Sequence, residues 1–478
     1  MADQALIPEL ARWAAAVRDG SLPDLVAADA RRRVLDTVGI MLAALPLPTS
    51  SAALGWISAR QGAARATVPG LAHRTTVGDA AFAGGVLAGS LEFDDTHLPS
   101  IVHPSASVVP ACLAAAESSA TDGSTLLAGV AVGIEIAVRI GMAGYDPGTR
   151  TNLWLERGQH ATSICGMVGA AAAAALVMGL PADSIANAMG GAASNASGIL
   201  EANRTGGTMK RTHYGWAAMG GVIAAELAAA GFTSPPTALE GRYGMFTALL
   251  GDAARTAPVL DELGERWLVH DVVVKPYPTN AFAHGGIDAA LRLRAAGLEP
   301  NDVVAAVLRV PAPAVRTLGE PIERKRRPIN AFEAQRSGPY LLAAALAGGS
   351  GLGVGLDDFT DDALRDPRRL DLASRVSVEA ASEFDTYFPE RLPAEVWVVT
   401  AGQRELTERV LDPRGGPAVP LSVDEVTAKY TDNVRSALGP EQSVRLQRAV
   451  EGLGVATGPG DVAAAIAASR RDDRSIRS

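Results

Sequence analysis

From Ile164 to Leu180 the chain runs for seventeen residues without a charged side chain, and Ala170 to Ala175 are six consecutive alanines. Alanine is the strongest helix former, yet its methyl group offers little surface to bury. Such a segment suits a helix surrounded on every side and packed close to its neighbours. A membrane span is the competing use. Seventeen residues lie at the short limit for crossing a bilayer, Ala and Gly give the run weak hydrophobicity, Pro181 ends it, and no lysine cluster flanks it. A buried helix is therefore expected, with no membrane partner.

The rest of the composition points the same way. Glycine accounts for 50 of 478 residues, above the ordinary ~7%. Aromatic residues make up only 5%, while 48% of the chain is hydrophobic and 20% charged. A mainly disordered chain is excluded. The net charge of −9 argues against nucleic acid or an anionic membrane as the main partner. Cys112 and Cys165 are the only cysteines, too few for a disulfide framework or an iron–sulfur cluster. The opening MADQALIPELARWAAAVRDG has two early acids and no basic stretch before an apolar core, so a cytoplasmic protein without a secretory signal is expected.

Helical spacing dominates from Asp3 to about Gly264, with candidate helices at Leu6–Val17, Ala30–Leu45, Ala80–Phe93, Pro104–Ser118, Ser124–Ile140 and Ala217–Gly231. Beyond Trp267 the character changes. Val272–Val274, Val303–Val310, Val376–Val378 and Val396–Val399 are β-branched runs of strand length, the last continuing through Gly402 toward Val410 as a hairpin. Helical stretches at Phe282–Ala295 and Gly338–Ala347 interleave with them. Ser422 and Glu425 form a capping-box pattern opening a later helix. The expected fold class is mainly α with an inserted α+β domain. A large all-helical domain begins at residues 1–267, a smaller α+β lid domain occupies 268–412, and 413–478 return to the helical domain. Arg470–Ser478 reads as a polar tail.

Chemistry gathers in a few polar islands. Only four of the 43 basic residues are lysines, at 210, 275, 325 and 429, and no histidine follows His284. A compact ammonium does work that a guanidinium does not. The first island, LEFDDTH at 91–97 with His103-Pro104-Ser105, joins Glu92, Asp95 and Thr96 to a histidine placed before a helix N-terminus. If the preceding helix runs through Thr96, Glu92 and Thr96 share a face. The same island also reads as a solvated helix end, or as a metal site from Asp94, Asp95, His97 and His103. The second island, with His160 and Thr162, opens the alanine helix and reads equally as an anion site or a helix cap. The third, GGTMKRTHYG at 206–215, carries Lys210; the fourth, KPYPTNAFAHGGID at 275–288, carries Lys275, Asn280 and His284. The basic run Arg324–Arg327 reads as a solvated loop or a contact for an anionic substrate. Together the islands suit acid–base chemistry on a small acid, without a metal or organic cofactor.

These stretches, with GIEIAVRIG at 133–141, HATSICGMVGAAAAAALVMGL at 160–180 and FEAQRSGPYLLAAALAGG at 332–349, occur in an order that resembles the MmgE/PrpD family. That family includes 2-methylcitrate dehydratases, cis-aconitate decarboxylases and iminodisuccinate epimerases. The resemblance implies a large helical domain, a smaller α+β domain, a homodimer, no cofactor and a small anionic carboxylate substrate. By motif position it implies a site of His103, His160, Lys210 and Lys275. Glu92, Asp95, Thr96, Asn280 and His284 would bind substrate around it. The lysines would hold carboxylates while His103 and His160 act as base and acid. Two positions depart from the pattern: Asn280 stands where decarboxylase-like members can carry His, and Glu92 where some members carry Asp. The expected activity is a hydro-lyase dehydrating a citrate-like acid. A decarboxylase, an epimerase and, from another class, a metal-dependent hydrolase are the rivals, with a non-catalytic helical scaffold behind them.

Overall fold

In the computed structural model, which describes residues 5–60 and 62–469, the uncharged run forms a helix from Ala161 to Val177, every residue of it buried. The described chain divides into two units, one running to Val272 and resuming at Asn433, the other covering Val273–Asp432. The tail expected at Arg470–Ser478 lies outside the described residues.

The principal helices of the first unit are α1 (Leu6–Asp19), α2 (Asp24–Ala43), α3 (Pro48–Ser58), α4 (Val77–Ala88), α5 (Ser105–Ser119), α6 (Gly123–Met142), α7 (Ala161–Val177), α8 (Ala182–Asn195) and α9 (Lys210–Ala229). Glycine sets how closely they meet. A Cβ on Gly169 of α7 would lie 2.4 Å from the Gly133 carbonyl of α6, and one on Gly215 of α9 would lie 2.5 Å from the Phe82 carbonyl of α4. On the other side of α9, a Cβ at Gly221 would meet Ala170 of the alanine run at 2.6 Å. These backbones touch where any side chain would hold them apart, which explains the weight of Gly and Ala in the composition. Helix α6 is long and apolar enough to cross a membrane, and 89% of its apolar stretch is buried inside the protein.

Two expected boundaries move, and both matter for the site. Helix α4 stops at Ala88 instead of Phe93. Gly89 lies against the Tyr214 ring, and the Ser90 hydroxyl donates to the Val86 carbonyl at 2.6 Å, satisfying one of the helix's last acceptors. Residues 89–104 are therefore loop, and the helical face expected to join Glu92 and Thr96 does not exist. Helix α9 begins at Lys210, seven residues before the expected Ala217, so Lys210 and His213 occupy its first turns.

In the second unit α10 (His284–Ala295), β1 (Val303–Val310), α11 (Gly338–Ala347), β2 (Val376–Ala380), β3 (Ala394–Thr400) and β4 (Glu405–Val410) follow in order. The sheet runs β2-β1-β3-β4, with β1 parallel to β2 and antiparallel to β3, and β3 antiparallel to β4. The expected hairpin pairs Trp397 with Thr407. Ala394, Val396 and Val398 alternate onto a buried face with Ala306, Leu308 and Val310. Helices α10 and α11 cover it, Gly286 and Gly338 giving room to the Leu308 side chain.

Val272–Val274, expected as a strand, belongs to no named strand. Pro276 and Pro278 have no N–H for a ladder, and Val274 instead donates one backbone bond to the Gly415 carbonyl at 2.9 Å. Gly415 has φ +88°, and a Cβ there would lie 2.0 Å from the Val274 carbonyl, so the turn demands glycine. Helix Val423–Val434 opens with the expected capping box: Glu425 N–H donates to the Ser422 hydroxyl at 3.1 Å and Ser422 N–H to the Glu425 carboxylate at 2.9 Å. Helices Pro440–Glu451 and Pro459–Ile466 complete the first unit.

Candidate active site

Three helix N-termini meet in the first unit. The backbone N–H of His103, just before α5, donates to Thr162 Oγ1 in the first turn of α7 at 3.1 Å. His160, at the N-cap of α7, meets His213 in the second turn of α9, Nδ1 to Nδ1 at 3.0 Å. The Tyr214 ring lies between, its centroid 5.5 Å from that of His160 and 6.5 Å from that of His103. Each N-terminus brings a partial positive charge toward this place, which favours an anion and a neutral imidazole. The His160 side chain makes no capping bond, so of the two readings of that histidine the cap is not the one observed.

The loop at 89–104 brings carboxylates to the same place. Glu92 takes φ +54°, a left-handed conformation that costs a non-glycine residue on the order of 1 kcal/mol. Its Oε1 lies 3.4 Å from Lys210 Nζ. His103 Nδ1 lies 2.7 Å from the Asp95 carbonyl and 3.2 Å from Asp94 Oδ2. A carbonyl only accepts, so His103 carries its proton on Nδ1 and presents Nε2 as a lone pair when neutral.

Charge and burial set the histidines apart from free imidazole. Burial first, then the Lys210 ammonium, holds His160 well below the usual imidazole range, and His213 is lowered by the same two causes. Both rings are therefore neutral near pH 7. His97, hydrogen-bonded to Ser100 Oγ at 2.8 Å, is pushed down to about 3 by burial and then by Arg266.

Several residues expected at the site have other work. The Asp95 carboxylate is already engaged: Arg33 Nη1 at 2.7 Å, Ser105 Oγ at 2.6 Å and Ser105 N–H at 3.1 Å, the last two fixing the start of α5. Thr96 is buried beside it. Asp94 pairs with His103, but the expected set of Asp94, Asp95, His97 and His103 forms no shared site: among the described residues no group of three or more His, Cys, Asp or Glu side chains is arranged to hold a metal ion. The GIEIAVRIG stretch is structural: Arg139 Nε binds Glu135 Oε1 at 2.7 Å with both side chains fully buried, and its Nη1 donates to the Asp261 carbonyl at 2.6 Å.

The second unit holds its own polar cluster. Lys275 is fully buried, as are His284 at the start of α10 and Lys429 on helix Val423–Val434. Burial, then Lys275 and Lys429, push His284 down to about 3. Asn280 spends its side-chain oxygen on capping, accepting from Phe282 N–H at 3.1 Å. Tyr277 donates to Asp288, and Arg414 binds both, with its Nε 3.1 Å from Asp288 Oδ1. The basic run at 324–327, expected as a solvated loop or an anion contact, is helical through Arg326, with Arg324 and Arg327 exposed and Lys325 and Arg326 turned to backbone carbonyls. Residues Ile322–Arg326 are helical, Lys325 Nζ donates to the Thr317 and Arg336 carbonyls at 2.5 and 2.8 Å, and Arg326 binds the Val376 carbonyl.

Residue-type counting singled out Lys210 but left His213 among general basic charge and gave Lys429 no role. The available signal for His213 was its spacing, three residues after Lys210 on one helical face.

A helical unit whose N-termini, lysine and neutral imidazoles face one place is equipped for acid–base work on an anionic ligand. The profile of the MmgE/PrpD N-terminal domain matches residues 8–257 and that of its C-terminal domain residues 277–454, and the chain belongs to this family. It is 28% identical to a cis-aconitate decarboxylase-like protein of Aspergillus oryzae, covering 93% of this chain and 94% of that one. It is 26% identical to a cis-aconitate decarboxylase of Aspergillus terreus, over 93% and 92% of the two chains, and 28% identical to the human cis-aconitate decarboxylase, over 91% and 89%. Relatives that cleave a carbon–carbon bond support a lyase.

Proposed function

We propose that the chain is a lyase acting on a small di- or tricarboxylate by acid–base chemistry, with loss of carbon dioxide from a cis-aconitate-like acid as its leading reaction. The observation that carries this is the meeting of α5, α7 and α9 N-termini around His103, His160, His213 and Lys210. An anion placed there gains from three partial positive charges and an ammonium. It also faces His160 and His213, both neutral near pH 7, and His103, whose Nδ1 is turned to the Asp95 carbonyl.

For a substrate whose carboxymethyl group adjoins a carbon–carbon double bond, the electrons of the breaking C–C bond form a new double bond. Those of the old double bond take a proton at its far carbon. His160 is the donor we assign. Lys210 holds a remaining carboxylate, with Glu92 orienting the ammonium, and Lys275 is assigned a carboxylate by its motif alone. The names of the relatives favour this reaction over the hydro-lyase expected from the sequence.

Dehydration of a citrate-like acid is the second reading, favoured by Asn280 where decarboxylase-like members can carry His. There His103 Nε2 removes the carbon-bound proton and an acid releases the hydroxyl as water. The homodimer belongs to the same proposal and is read by sedimentation equilibrium.

Proton NMR in heavy water on citrate, 2-methylcitrate, cis-aconitate and aminated dicarboxylates distinguishes these outcomes in one tube. Carbon dioxide loss with one deuterium incorporated supports the leading reading, and loss of water the second. Epimerisation with exchange and no bond loss would replace the lyase by an isomerase. No change in any of the acids would remove the carbon-acid assignment.

A further inference from the structure

The contact between His160 and His213 imposes a constraint that neither ring carries alone. Two neutral imidazoles that meet Nδ1 to Nδ1 at 3.0 Å share one proton, because a hydrogen bond needs one donor and one acceptor. One ring then has Nδ1–H and a bare Nε2; the other has a bare Nδ1 and Nε2–H. One outer nitrogen is a base and the other an acid. The rings also differ in access: His160 is buried, only 5% exposed, whereas His213 is half-buried. Each is fixed by its helix. His160 N–H donates to the Gly198 carbonyl at 3.0 Å as α7 begins, and His213 is held in α9 by the Gly85–Gly215 approach two residues on. Lys210, His103 and Glu92 are the other charged or titratable groups that act on His160.

We infer that His213 is the proton-exchange partner of His160, a positioning residue that fixes its tautomer and passes protons between the buried ring and solvent. A proton arriving at His213 Nε2 leaves that ring doubly protonated. Its Nδ1 proton crosses to His160 Nδ1, and His160 releases its Nε2 proton to the substrate. Each of the three transfers forms one bond to hydrogen and breaks one: water's proton goes to His213 Nε2, the His213 Nδ1 proton to His160 Nδ1, and the His160 Nε2 proton to the substrate, so the pair ends with tautomers exchanged. The reverse sequence resets it. This rests on the lyase reading for the identity of the acceptor, but the shared proton does not.

Two measurements test it. Nitrogen-15 NMR of histidine-labelled, ligand-free protein reads the tautomers directly, the pair being assigned from the spectra of His213→Asn and His160→Gln. Complementary tautomers, one Nδ1–H and one Nε2–H, support the pair; the same tautomer in both rings overturns it. In turnover, His213→Asn keeps a hydrogen-bonding atom where Nδ1 stood but cannot pass a proton through. It is expected to hold the His160 tautomer, lower kcat tenfold or more and leave KM within about twofold. Full kcat in His213→Asn overturns the relay. If the wild-type protein turns over none of the acids tested, the lyase reading fails, and the tautomer measurement still decides whether the two rings share their proton.

Discussion

Arg33 and Asp95 form an ion pair shut away from water: Nη1 lies 2.7 Å from Oδ2, and the two side chains are only 4% and 2% exposed. The same guanidinium donates through Nη2 to the Val269 and Val272 carbonyls at 2.8 and 2.9 Å, while the carboxylate holds Ser105 at the start of α5. One pair thus ties α2, the loop under His103 and the end of the first unit's long opening segment. Removing one partner leaves a buried charge, which costs about 3–5 kcal/mol. Arg33→Leu is expected to lower the unfolding free energy read from urea titration by that amount, whereas Arg33→Leu combined with Asp95→Leu recovers part of it. Equal loss in the single and double variants would mean that the pair contributes nothing beyond packing.

Buried neutral histidines make the fold acid-sensitive. A group whose folded pKa is lowered takes up protons in the unfolded chain first, so its stability contribution is complete above the unfolded value of 6.5. It is lost as pH falls from there toward the folded value. For His97 and His284 that window runs from 6.5 down to about 3. Each should cost about 1.4 kcal/mol per pH unit within it. Between pH 6.5 and 5, where most carboxylates are still ionised, His97→Gln should flatten the plot of stability against pH by one such slope. An unchanged slope would show that His97 does not stay neutral in the fold.

Lys210 depresses His160, and in the proposed function it also attracts the carboxylate. Lys210→Met is therefore expected to lower kcat/KM by roughly a hundredfold or more and to raise the imidazole pKa of His160 toward its ordinary range. Both follow from one substitution, read by steady-state kinetics and by NMR titration. A fall in turnover with no movement of the His160 titration would separate the tasks.

Glycine contacts between helices are as sensitive as the buried charges. Gly169→Ala places a methyl group 2.4 Å from the Gly133 carbonyl and 2.8 Å from the Ala137 methyl one turn along α6. Neither neighbour is the end of a flexible chain, so α6 and α7 must separate. A loss of about 1–3 kcal/mol is expected in thermal unfolding, against little effect for Gly460→Ala, where a Cβ would meet nothing within 4 Å.

Lys275→Met exchanges a fully buried ammonium for an apolar side chain of similar length. Turnover of folded protein, checked by circular dichroism, should fall by an order of magnitude or more. Wild-type turnover in the variant would withdraw Lys275 from the site.

Local chemistry written in neighbouring residues was legible without coordinates. The alanine run, three of the four β-branched runs with their hairpin, the Ser422–Glu425 box and the family motifs all depend on short spacings, and each reads from a few adjacent letters. His103, His160 and Lys210 could be named for the same reason, since each sits in a motif dense in unusual residue types. What could not be read was where α4 stops and α9 starts. Around both ends the packing is long-range, Gly89 lying against Tyr214 and Gly85 against Gly215, contacts between residues more than a hundred positions apart. The same distance hid the division of labour among the polar groups. Sequence placed Asp95 and His213 near the right helices, but only packing could show that Asp95 is consumed by Arg33 and Ser105 and that His213 shares a proton with His160. A side chain's type is fixed by its codon; its partner is fixed by the whole fold, because a hydrogen bond is made only where packing brings two atoms within about 3 Å.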